Sequence, residues 1–193
     1  MLILGHLGVT GIIVKTYEKI IPNKSNGDNK YIDYRVVMLG ALLPDIIDKP
    51  IVEIMYGLKT HSGHWFAHSL IFSHLLILVG IAFLVIKKNK NFLLFGICSL
   101  LHQFMDIMIL KPNIFIYPFF GKILFIVPKN LGFVDKVMEP IYRRIPYFRD
   151  VKDYFLEPYI YIFELIGGLF MVYYIWEMIK KKRIKLFFKK GTL

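Results

Sequence analysis

Seven side chains in this sequence are of the types that hold metal ions or move protons: His6, Asp45, Asp48, His64, His68, His102 and Asp106. Most of them lie inside or at the ends of long apolar runs. An ionisable group in hydrocarbon costs about 3 kcal/mol at the centre of a helix unless it is paired, hydrated or metal-bound. A recurring set of imidazoles and carboxylates in such runs is therefore a functional signal, because these are ligands for Zn²⁺ and related divalent ions.

Local spacing groups them further. His102 and Asp106 stand four residues apart, so on a helix they share a face about 5–6 Å apart. That suits shared ligation, or a carboxylate orienting an imaginable ligand's imidazole from behind. A buried His–Asp pair that merely ties helices together has the same spacing. Asp45 and Asp48 stand three apart, where two anions repel unless a cation or proton lies between them. The alternative is a capping Asp45 and a surface pair of Asp48 with Lys49. Pro44 suits the first turn of a helix, so the run is expected to break and restart there. His61, His64 and His68 fall on one helical stripe; His68 is the favoured ligand, with Ser69 as its hydrogen-bonding neighbour, and His64 is a further ligand. His61 reads as a solvated interface residue and His74 as a packed or helix-bridging one. Glu164 reads as an extra ligand or base, or as the partner of a snorkelling cation.

The elements that must position these groups read as membrane helices. Of 193 residues, 56% are hydrophobic, more than a soluble domain of this length carries, and the excess sits in long runs. The expected fold is an all-α, multi-pass transmembrane bundle forming one domain over residues 1–193. It has about five spans: residues 2–21, 36–52, 68–86, 92–110 and 159–179. Residues 114–127, short and Pro-broken, read as a re-entrant or interfacial segment. Residues 128–158 read as an amphipathic surface region and 180–193 as a basic cytoplasmic tail. The start lacks a basic leader and a cleavage site, so it reads as a retained first span. The single cysteine, Cys98, rules out an intrachain disulfide.

The net charge of +11 raises the question of nucleic acid. The cations flank apolar runs, at Lys87, Lys88 and Lys90 and again at Lys180–Arg183, which fits topology and anionic headgroups and argues against nucleic acid. Placing these two segments and the loop of Lys24, Lys30 and Arg35 inside gives five crossings, with the N-terminus outside and the C-terminus cytoplasmic. Under that topology His6, Asp45, Asp48, His68, His102 and Asp106 all reach a similar depth near the outer face.

At these residues the chain resembles the family of membrane-bound, predicted metal-dependent hydrolases of bacteria and archaea. The matching elements are His6, the stretch Leu42–Pro50, Ala67-His68-Ser69-Leu70, His102 with Asp106, and the aromatic-Pro-Gly segment Phe115–Gly121. Where many members carry a His-Arg-Gly block, this chain has Gly63-His64-Trp65-Phe66, and where many carry a histidine after the second aspartate it has Lys49. The resemblance extends by analogy to the all-helical zinc phospholipases C.

The leading reading is a membrane-embedded metal-dependent hydrolase of a lipid or lipid-linked phosphoester, its partners being membrane lipids. His6, Asp45, Asp48, His64, His68, His102 and Asp106 would hold one or two divalent metals, zinc first, with manganese or iron as alternatives. Asp48, Asp106 and Ser69 are the catalytic candidates. The alternative is a non-enzymatic metal-binding or transporting membrane protein, and the third reading a structural one.

Overall fold

The computed structural model describes residues 3–20, 32–56, 64–110, 112–119 and 158–192, and all regular structure among them is helical. Helix α1 spans Ile3–Ile20 and α2 spans Tyr34–Tyr56. A single 3₁₀ turn, Phe66–His68, leads into α3, Leu70–Lys87, and α4 follows at Asn91–Met105. A second 3₁₀ turn, Met108–Leu110, and the short α5, Pro112–Phe115, come next. The long α6, Pro158–Lys180, and the short α7, Ile184–Lys190, complete the described chain.

Local chemistry sets the ends. The Ser69 Oγ accepts the Phe72 N–H and caps α3, satisfying one of the donors a helix start leaves over. Helix α3 closes on Lys88 in a left-handed conformation, its N–H reaching the Phe83 carbonyl. Helix α7 closes the same way on Gly191, at φ +69°, where glycine pays no Cβ penalty.

Among the described residues, two helices are long and apolar enough to cross a membrane, Leu70–Lys87 and Tyr161–Lys180. Only 11% and 6% of these stretches are buried in the protein, so their apolar side chains face outward. Leu78 and Val85 on α3 and Leu165, Leu169 and Val172 on α6 are all more than half exposed. A core helix of a soluble protein would bury such residues, and contiguous apolar surface of this extent marks an environment other than water. Helices α1 and α2 are long enough but carry the charged residues, and α4 is 15 residues long. Among the described residues there are thus two candidate spans, where the sequence suggested about five.

The helices pair α1 with α6, α2 with α4, and α3 with α4, while α1 also touches α2. Backbones meet where side chains vanish. A Cβ on Gly8 of α1 would lie 2.2 Å from the Gly167 Cα of α6, and one on Gly40 of α2 would lie 2.6 Å from the Phe95 carbonyl oxygen of α4. Small-residue crossings of this kind are how membrane helices gain packing without a hydrophobic drive between them. An apolar cluster of Val14, Ile32, Tyr34, Val37 and Cys98, flanked by Leu94 and Phe187, fills the space where α1, α2, α4 and α7 meet.

One expectation is corrected. Helix α2 runs unbroken through both Pro44 and Pro50. Proline removes one ladder donor and crowds the preceding turn, but the packing of α2 on α4 holds the helix together across it. The segment expected to be re-entrant, 114–127, is described only to Phe119, as the end of α5 and a turn. Residues 120–127 and His61 lie outside the described residues, as does the 128–158 region up to the start of α6.

Candidate metal centre

The candidate residues converge from separate elements. Helix α1 brings His6 in its first turns, α2 brings Asp45 and Asp48, the 3₁₀ turn before α3 brings His68, and α4 brings His102 with Asp106 at its C-cap. His6, Asp48, His68 and His102 are all fully buried, and Asp45 is 8% exposed.

Four of them point one atom each at a common spot: Asp45, His68, His102 and Asp106, with those atoms within 4.8 Å of one another. The His68 Nε2 is 3.2 Å from the His102 Nε2. Asp45 Oδ1 lies 3.5 Å from the His68 Nε2 and 3.7 Å from the His102 Nε2. Asp106 Oδ2 lies 3.3 Å from the His102 Nε2 and 3.8 Å from the His68 Nε2. Ligands about 2.0–2.2 Å from a tetrahedral ion stand about 3.3–3.6 Å from each other. The observed separations bracket those tetrahedral edges.

Protonation strengthens the case. The His102 Nδ1 is 2.7 Å from the Ala41 carbonyl oxygen, which can only accept, so Nδ1 carries the hydrogen. The His68 Nδ1 is 2.7 Å from Asp48 Oδ2. That carboxylate also accepts the backbone N–H groups of Trp65, Ala67 and His68 at 2.7, 2.9 and 3.1 Å. Three backbone donors on one carboxylate are the surroundings of an anion, so His68 too donates from Nδ1. In the neutral imidazoles both Nε2 lone pairs then face each other, an arrangement that needs a cation or a shared proton between them. Asp45 Oδ1, also turned inward, is buried without a hydrogen-bond partner. Such atoms are rare in folded proteins, and a bound cation satisfies them. Two carboxylates at the spot also balance a divalent charge, as burial demands.

The remaining candidates surround this group. His6 stacks on His102, ring centroids 3.9 Å apart. Its Nε2 lies 3.1 Å from Asp106 Oδ1, close but not aligned as a hydrogen bond, and neither ring nitrogen has another partner. His64 places Nε2 3.4 Å from Asp106 Oδ2 and packs edge-on against His68. Its side chain is 18% exposed where those of His6, His68 and His102 are 0%, so it stands at the mouth. Asp106 is thus the hub on which four imidazoles converge.

Four residues stand elsewhere than the sequence suggested. Asp48 does not join the four converging atoms; it lies behind His68 and holds both the imidazole and the 3₁₀ turn. Ser69 donates its hydroxyl to the Phe66 carbonyl at 2.7 Å and caps α3, so its proton and its lone pair are both committed to backbone. Glu164 on α6 accepts the Gly5 N–H at 2.7 Å, anchoring the start of α1 one residue before His6. His74 is exposed, with Nδ1 2.8 Å from the Leu70 carbonyl of its own helix.

Two contributors escaped the sequence reading. Gln103 is fully buried and its Nε2 reaches the Ala67 and Ser69 carbonyls and the Ser73 Oγ, at 3.1, 2.9 and 2.8 Å. It pins the turn that carries His68 to the helix that carries His102. Its only signal was an amide in the middle of an apolar run. Ala41 contributes a carbonyl, which no side-chain pattern reveals: the bond that Pro44 cannot make belongs to the Gly40 carbonyl.

The profile of the YdjM inner membrane protein family matches residues 1–184, and the chain belongs to that family. No curated protein and no solved structure matches it.

Proposed function

We propose that this inner-membrane protein is a metal-dependent hydrolase of a lipid or lipid-linked phosphoester. The observation that carries the reading is the set of four inward atoms of Asp45, His68, His102 and Asp106, at tetrahedral spacing with both imidazole lone pairs turned to one point. These four residues would hold the ion, zinc first, with manganese or iron as alternatives for the same donors. His6 Nε2 and Asp106 Oδ1 offer a further pair of ligand atoms on the other side of the shared carboxylate. A divalent ion so held supplies a bound water of lowered pKa and polarises the bond to be cleaved.

The chain's own groups do the rest. Asp48 and the Ala41 carbonyl fix which nitrogen of each imidazole faces the centre, a control that ordinarily accounts for 10–100-fold in metal affinity. His64, beside Asp106 at the mouth, is placed to take up a proton. Lys49, whose Nζ is 2.9 Å from Asp45 Oδ2 and which is 40% exposed, presents an ammonium to an anionic substrate. In this reading α1, α2 and α4 cross the membrane with α3 and α6. The N-terminus is outside, the C-terminus cytoplasmic, and the centre opens near the outer face, where lipids arrive by lateral diffusion.

The test is purification in detergent, measurement of bound metal, and assay of wild type and His102→Ala on phospholipid and simple phosphodiester substrates. The expected result is near-stoichiometric metal and turnover in the wild type and neither in the variant. Metal without turnover would instead favour a binding or transport role. Full metal retention by both His68→Ala and His102→Ala would overturn the site. Labelling of a cysteine at position 64, in a Cys98→Ala background, from the cytoplasmic side alone would overturn the orientation.

A further inference from the structure

The opposite end of the molecule holds a second site. A cavity of about 200 Å³ lies where the C-terminal half of α1 meets the end of α6 and the turn into α7. Lys15, Lys19, Lys181 and Arg183 line it, against a single acid, Glu177, and the Tyr174 side chain stands beside them. Along α1, Lys19 is thirteen residues from His6, about 20 Å at helical rise, so this cavity and the candidate metal centre share no residue.

Its chemistry is that of an anion site, and its surroundings are those of a membrane surface. Lys15 and Lys181 are already joined to Glu18 and Glu177, which leaves the cavity with an excess of positive charge from Lys19 and Arg183. Ile13, Tyr17 and Ile20 form an apolar stripe on α1 at i, i+4 and i+7, all at least 42% exposed. On α6, Trp176 is 55% exposed with the Lys180 ammonium 4.9 Å from its ring, an arrangement suited to the headgroup level. Within the cavity itself Tyr173 and Met178 stand beside the cations, so charge and apolar surface meet in one lining. A free anion would need only the first of these features; a phospholipid uses both. Basic pockets between membrane helices are a recognised mode of headgroup capture.

We propose that this cavity binds the phosphodiester headgroup of an anionic phospholipid, with its acyl chains leaving over Tyr173 and Met178 on α6. The test uses the full chain carrying Trp65→Phe, so that Trp176 is the sole tryptophan, in phosphatidylcholine nanodiscs titrated with phosphatidylglycerol. Saturable change in Trp176 emission is expected, and the Lys19→Ala/Arg183→Ala variant should weaken it by about tenfold. Lys87→Ala/Lys189→Ala, which removes equal charge outside the cavity, should weaken it by less than about twofold. Equal weakening by the two pairs would overturn the proposal in favour of diffuse attraction. Absence of any preference over phosphatidylcholine would overturn it outright, and displacement by millimolar inorganic phosphate would reassign the cavity to free phosphate. Arg183→Ala alone, with thermal stability followed in pure phosphatidylcholine, repeats the measurement should the double variant not fold.

Discussion

The two ends of this bundle handle charge in opposite ways. At one end, His6, His68, His102 and Asp48 are fully buried and Asp45 nearly so, each oriented by a named neighbour. At the other, Lys19, Lys87, Lys180–Arg183 and Lys189 are exposed at helix ends, their contacts confined to surface pairs such as Lys181 with Glu177 and Lys180 over Trp176. Burial makes the first end exacting: an unpaired polar group there forfeits its hydration, so every imidazole and carboxylate must find a partner. The second end keeps its water. The contrast teaches that charge at the basic end depends mainly on chain order, whereas the histidine–aspartate end depends on four elements arriving in register.

That contrast can be broken most sharply at the ligands. His102→Ala and His68→Ala should each lower bound metal by at least about tenfold, read by elemental analysis of protein whose helicity by circular dichroism is unchanged. Next comes the residue behind the ligand. Asp48→Asn should weaken metal affinity by about 10–100-fold in a competition titration, because His68 loses the anion that fixes its ring. Ser69→Ala should leave affinity nearly untouched and cost about 1 kcal/mol of stability, the ordinary worth of a helix cap. A third effect works through packing. Gly167→Leu, placed against the α1 backbone, should destabilise by about 1–3 kcal/mol, seen as a lower unfolding midpoint in detergent, and displace His6 with it.

The smallest effect belongs to the basic end. There the Arg35 guanidinium holds the Asp33 carboxyl below its ordinary range, while Arg35 also donates to the Phe188 carbonyl of α7 and the Tyr34 N–H to that of Gly191. A carboxyl whose folded pKa is depressed stabilises above its unfolded pKa and loses that contribution as pH falls through the folded value. Acidification through and below the ordinary aspartate range should therefore loosen α7 from α2, visible as faster hydrogen exchange at the Tyr34 amide. Arg35→Ala should make that exchange fast at neutral pH and remove the pH dependence.

Much of the arrangement was legible beforehand. The helical class follows from long apolar runs punctuated by Pro and Lys clusters, and each of the converging residues was recognisable as an ionisable group in an apolar run. The spacing of His102 and Asp106 placed them on one face, where Asp106 Oδ2 and the His102 Nε2 lie 3.3 Å apart. The roles within the group were less legible. Asp45 and Asp48 have equal claims by type, yet one turns toward the shared point and the other toward Trp65, Ala67 and His68. Three residues of helix leave them only about 60° apart around α2, so which one faces the shared point depends on how α2 is rotated against α4. Ser69 looks like a nucleophile beside a histidine until its hydroxyl is seen spent on the Phe66 carbonyl.

By itself, then, the sequence determined the helices, their apolar walls, the sequestering of histidine and aspartate toward one end and of lysine and arginine toward the other. These follow from local composition, to which each residue contributes alone. Only the tertiary structure decided that α2 passes intact through Pro44, that Asp48 serves His68, that Gln103 and the Ala41 carbonyl belong to the site, and that Lys19 and Arg183 share a cavity. The physical reason is that hydrogen bonds and ligand geometry act over about 3 Å, and residues that meet at that range here are separated by up to 159 positions in the chain. Close backbone crossings such as Gly8 on Gly167 set those distances, and a crossing is a property of two helices together.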